Sequence, residues 1–146
     1  MKGSISGKWS GVYIYGAGYE EDLRGKRVRF TVELFEDEQL VRGSCIDAET
    51  EHILTGKSKI EGTFENGLLV FYKTYPFTFD FAENDVAYIV EHVSSPSIQY
   101  TGLLRRSLFS RSHYFKGDWE IHGSYLDDNG CAQYYSSHGT WRMERG

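Results

Sequence analysis

The chain has 146 residues and a formal net charge of −5, from 16 Lys and Arg against 21 Asp and Glu, with 40% apolar and 16% aromatic residues. A chain of this length suits one domain, 1–146, that buries roughly two-thirds of its unfolded surface without staples, and the aromatic content argues against disorder. The acidic balance disfavours nucleic acid and anionic membrane as partners. No stretch approaches the ~18 apolar residues of a membrane helix, and the start has no apolar leader run, so a cytoplasmic protein is expected.

Alternation is the dominant period along the chain. The first strand region carries Trp9, Tyr13 and Tyr15, with Gly11, Gly16 and Gly18 in or beside it. A short helical turn over Tyr19-Glu20-Glu21-Asp22-Leu23 is an option before the next strand. From Lys26 to Phe35, Val28, Phe30, Val32 and Leu34 share one face while Arg27, Arg29, Thr31 and Glu33 share the other, the pattern of a half-buried strand. Glu36-Asp37-Glu38 and the run Asp47 to His52 read as turns. Asn66-Gly67 is the strongest turn signal, because a type I′ turn needs positive φ at both central positions; strands over 57–65 and 68–75 should therefore form a hairpin.

Further turns fall at 83–85, 94–97 and 127–130, and Asp118 to Tyr125 alternates again, with Trp119, Ile121 and Tyr125 on one face. The expected fold is all-β: a single antiparallel up-and-down barrel of about eight to ten strands with no helical crossovers. Glycines inside strands permit the coiling that closure requires.

All three tryptophans sit two residues after a glycine: Gly7-Lys8-Trp9, Gly117-Asp118-Trp119 and Gly139-Thr140-Trp141. They read as one device, a glycine for the turn and a tryptophan plugging an end of the barrel. A Gly-x-Trp on the first strand, many short strands and an Arg after a late Trp resemble the calycin barrels: lipocalins, fatty-acid-binding proteins and avidins. The matching residues are Gly7, Trp9 and Arg142 beside Trp141. In lipocalins the first-strand Trp packs across the closed end beneath a late Arg, so the resemblance implies that role for Trp9 and Arg142. The middle of the chain shows neither the other lipocalin signatures nor the biotin-contacting pattern of the avidins. The resemblance therefore implies a class, small-molecule binding in a lumen, and no particular ligand.

The candidate ligand-binding residues are Trp9, Tyr13, Trp119, Tyr125 and Trp141, as lining or plug on faces that alternation turns inward, together with Lys73 and Glu91. Lys73 shares parity with Phe71 and Tyr75, and Glu91 with Ile89 and Val93. If both point inward they should pair, the alternative being exposure at strand ends. Arg105, Arg106 and Arg111, interleaved with aromatics and free of acids over 103–116, form a candidate interaction surface for a protein or an anionic ligand, or else a charged guard on an edge strand.

No cofactor fingerprint is found, and the five histidines show no metal-ligand spacing. The run Asp47-Ala48-Glu49-Thr50-Glu51-His52 lacks the glycine and spacing of a calcium loop and reads as a solvated turn. Cys45 and Cys131 have no CxxC spacing and read as free thiols in a reducing compartment. No catalytic residue can be named, which leans the reading away from an enzyme. The expectation is a barrel binding a small apolar or aromatic molecule without catalysis. The alternatives are a filled barrel acting as an interaction module and an enzyme with a lumen site.

Overall fold

The computed structural model describes residues 4–17, 19, 21, 23–48, 57–75, 78–81, 87–90, 97–108 and 112–145, the side chains of 78–81, 87–90, 123–126 and 135 excepted. Ten strands follow in chain order: β1 (Gly7–Tyr15), β2 (Arg27–Asp37), β3 (Leu40–Asp47), β4 (Ser58–Glu65), β5 (Leu68–Thr74), β6 (Thr78–Phe81), β7 (Ala87–Val90), β8 (Ile98–Arg106), β9 (His113–Leu126) and β10 (Ala132–Arg145). Eight of them close a barrel in the order β1-β10-β9-β8-β5-β4-β3-β2, while β6 and β7 pair only with each other. Every pairing in the barrel is antiparallel, and the first strand closes on the last, with Tyr13 opposite Trp141. The described residues Tyr19, Glu21 and Leu23 show only turns and bends where a helical turn was an option.

Local chemistry accounts for the elements. In β2, Val28, Phe30, Val32 and Leu34 are buried and Arg27, Arg29 and Thr31 are exposed, so one face is committed to the core. Between β4 and β5, Asn66 has φ 53° and Gly67 φ 80°, the two positive values that the tight hairpin demands. Antiparallel order puts the β2–β3 and β4–β5 turns at one pole, the closed end. The β1–β2, β3–β4 and β9–β10 connections join strand ends at the other pole, the open end, which is also where β5 ends and β8 begins on either side of β6 and β7.

The closed end is sealed by Trp9, Leu34, Leu69, Phe115 and Met143, all fully buried, with the Trp9 and Phe115 rings 5.0 Å apart. The arginine over Trp9 is Arg145 and not Arg142. Its guanidinium lies 4.6 Å from the indole centre and donates to the Ser6 and Ser4 carbonyls, at 2.8 Å each. Arg142 follows the inward Trp141 and so faces out, over the Tyr114 ring at 4.0 Å and beside Glu144 at 3.2 Å.

The Gly-x-Trp device also differs from expectation. Only Gly7 has a positive φ, 125°; Gly117 and Gly139 lie inside strands. Gly139 stands opposite Trp119 and Gly117 opposite Trp141, so the two copies are in register on antiparallel neighbours. A Cβ on Gly139 would come within 2.5 Å of the Trp119 indole, and one on Gly102, in the next strand over, within 2.5 Å of the Trp141 indole. The tryptophans thus occupy three levels of the barrel instead of one plug. Each indole N–H is spent on the backbone: Trp9 on Ile5 at 2.9 Å, Trp119 on Ile14 at 3.2 Å, and Trp141 on Asp118 at 3.0 Å.

Candidate functional site

The open half of the lumen holds a polar cluster inside an aromatic wall. Each member arrives by strand alternation: Tyr13 from β1, Cys45 and Asp47 from β3, Ser58 from β4, Lys73 from β5, Tyr100 from β8 and Trp119 from β9, with Tyr75 just past β5. Lys73 and Asp47 are each 1% exposed, and the Lys73 Nζ lies 3.5 Å from Asp47 Oδ2. The Tyr75 O–H donates to that same oxygen. The ammonium is caged by ring faces, 4.6 Å from the centre of Tyr13, 5.0 Å from Tyr75 and 5.2 Å from Tyr100, an arrangement that stabilises a cation taken out of water. Lys73 also hydrogen-bonds to the Tyr100 hydroxyl, and the Ser58 hydroxyl donates to the Cys45 carbonyl at 2.9 Å.

Burial pushes the Cys45 thiol up to about 11 and the Tyr100 phenol up to about 12, with Lys73 opposing both. Tyr75 is held well above the ordinary phenol value, chiefly by burial. For Lys73, burial acts to lower the value, but Tyr100, Tyr75, Cys45 and Asp47 together hold it above the ordinary lysine range. At neutral pH the site therefore presents an ammonium, neutral phenols and a neutral thiol. Neither the amine nor the thiol is in its nucleophilic form.

A cavity of about 10 Å³ lies beside the cluster, walled by Phe30, Ile60 and Phe71 and by Lys73, Tyr100 and Cys45. It suits one water molecule. Above it, Trp119 packs edge-on against Tyr13 and Tyr15 at 6.2 and 5.6 Å, and Tyr19, from the β1–β2 connection, covers Tyr15 at 4.6 Å.

Among the residues singled out from sequence, Tyr13, Lys73, Trp119 and Trp141 come together in the lumen, Trp141 lying 5.7 Å from both Phe71 and Tyr100. Trp9 belongs to the closed end. Glu91 and Arg111 lie outside the described residues, as does the side chain of Tyr125. Arg105 and Arg106 are exposed where β8 ends at the closed pole, away from the Lys73 cluster, and Arg105 faces the outer wall. There, Leu68, Leu103, Arg105, Tyr114, Lys116 and Asp118 line a shallow groove of about 550 Å³.

Asp47 is a correction: it is no solvated turn residue but the buried partner of Lys73, and residues 49–52 of that run lie outside the described residues. Its signal was alternation carried one step further, since Val41, Cys45 and Asp47 share the buried face of β3. Tyr75 and Tyr100 had the right parity, but only the fold brings them to Lys73. Among the described residues no three of His, Cys, Asp and Glu come close enough together to hold a metal ion, and no helix is long and apolar enough to cross a membrane.

No protein-family model matches the chain, and no curated protein matches it. Among solved structures, a complex of short afifavidin with biotin superposes with a TM-score of 0.50 at 12% identity, over 97% of this chain and 91% of that one. Rhizavidin matches with a TM-score of 0.48 at 9% identity, over 93% and 81%. Intact afifavidin in its apo form gives 0.48 at 12%, over 96% and 81%. The likeness is one of fold: a closed, eight-stranded antiparallel barrel of the avidin-like, calycin type.

Proposed function

We propose that this barrel is a non-enzymatic receptor for a small, partly apolar molecule, held in the open half of the lumen over Lys73, Asp47 and their tyrosines. The observation that carries the reading is the ion pair itself, with both partners 1% exposed. Apolar side chains of similar volume would fill that space at equal or greater stability. Two charges kept there are better accounted for by what they contact than by folding. The protonated Lys73 and the neutral Cys45 support binding without covalent chemistry. The fold likeness to short afifavidin, whose structure is a biotin complex, supports the class. The cavity of about 10 Å³ beside Lys73 is too small for a molecule the size of biotin, so a ligand of that size reaches it by displacing the side chains that lie over it, Tyr19 and Trp119 first.

Titration with an environment-sensitive apolar dye tests this. Saturable one-to-one binding, insensitive to salt and altered in Trp119→Ala, is expected; no saturable binding of dye or biotin discards the reading. A second reading, an interaction module, is favoured by the outer groove beside Arg105. It requires a partner whose salt-dependent binding is lost in an Arg105→Glu, Arg106→Glu double variant while dye binding is untouched.

A further inference from the structure

Among the described residues the lumen cluster carries more donors than acceptors, and that excess points to the ligand's headgroup; the inference rests on the lumen-binding reading above. Lys73 brings three N–H donors and no acceptor, and each phenol brings one O–H. Asp47 is the acceptor-only side chain described there, and it already receives the Tyr75 O–H and Lys73. A further N–H of Lys73 goes to the Tyr100 oxygen, which leaves the Tyr100 proton to find an acceptor elsewhere. The small cavity is lined here by Lys73, Tyr100 and Cys45 together with Phe30, Val32, Ile60 and Phe71. It therefore offers a cation and a phenol to whatever atom enters, within an apolar wall.

We propose that this cavity is an oxygen-acceptor subsite, and that the ligand has an apolar body ending in a carboxylate, one oxygen of which lies between Lys73 Nζ and the Tyr100 hydroxyl. A carboxylate is favoured over a neutral carbonyl because charge-assisted hydrogen bonds are shorter and stronger, the more so out of water. A cationic headgroup is disfavoured because it would face the Lys73 ammonium. The second anion is accommodated because each carboxylate gains its own phenol, Tyr75 for Asp47 and Tyr100 for the ligand, with the ammonium between them. In the absence of ligand the cavity accepts one water molecule in the same role.

Phenylbutyrate, phenylbutyramide and phenylbutylamine share one apolar body and differ in headgroup, so displacement of the apolar dye by each of the three isolates the headgroup. The acid is expected to bind roughly tenfold more tightly than the amide, with the amine weakest. Tyr100→Phe keeps the packing and should lower affinity for the acid roughly tenfold while leaving the dye unaffected. The double variant Lys73→Met, Asp47→Asn removes both charges together, so no buried charge is stranded, and should erase the difference between acid and amide. Equal affinity for acid and amide, preference for the amine, or dye binding that none of the three displaces overturns the proposal and leaves the lumen-binding reading standing. Absence of saturable binding by dye and probes alike overturns both.

Discussion

Asp47 and Lys73 depend on each other, because either one alone is a charge buried among rings. Asp47→Ala leaves the ammonium facing Tyr13, Tyr75 and Tyr100 without its counter-ion, and is expected to destabilise by about 3–5 kcal/mol. Adding Lys73→Met should restore most of that loss; strictly additive effects in a denaturant-based double-mutant cycle would show the pair to be uncoupled. The titrations give a second test. Cys45, with an ordinary value of 9.0, is raised to about 11, and Tyr100, ordinarily 10.0, to about 12. Both stay neutral in the folded chain after the unfolded chain has ionised. Their contribution is complete below about pH 9 and is lost as pH rises through 11 and 12. Lys73, also raised, acts in the same direction. Thermal melts should therefore show Tm falling steadily across that alkaline window, and a flat Tm there would contradict the cluster's burial. Alternation from sequence was enough to place Tyr13 and Lys73 inside. It could not reveal which acid meets Lys73, because Asp47 and Lys73 are joined only by the registers of β3 on β4 and β4 on β5.

At the scale of elements, the β9–β10 ribbon depends on glycines that let neighbouring backbone and rings approach closely. A Cβ on Gly117 would fall 1.8 Å from the Thr101 carbonyl oxygen, part of the neighbouring backbone. Gly117→Ala is therefore expected to destabilise by about 3 kcal/mol or more, measured by urea unfolding. Gly67→Ala meets no atom within 4 Å but keeps a φ of 80°, so its cost should be only about 1 kcal/mol. That ordering reverses if backbone handedness and not close approach dominates. Asn66-Gly67 and the β2 alternation were legible because each is written in adjacent residues. The fits of Gly139 to Trp119 and of Gly102 to Trp141, and the choice of Arg145 over Arg142, were not, because they depend on which strand lies alongside.

For the whole molecule, closure of β1 on β10 means that residues more than a hundred positions apart must pair before any edge is protected. Such non-local pairing predicts refolding on the order of milliseconds to seconds, by stopped-flow Trp fluorescence, and a microsecond phase carrying the full amplitude would be inconsistent with it. The barrel could be read from strand rhythm and interior glycines. Whether its lumen stands open could not, because that depends on how far Tyr15, Tyr19 and Trp119 lean across one another.

The two cysteines divide between interior and rim. Cys45 is buried, and Cys131 is exposed in the turn joining β9 to β10, at the open pole. A native thiol reagent should label one site and a denatured sample two. A fluorophore or spin label attached at Cys131 would then stand beside the mouth of the unaltered protein, turning its own sequence into a vantage point from which opening and closing can be timed.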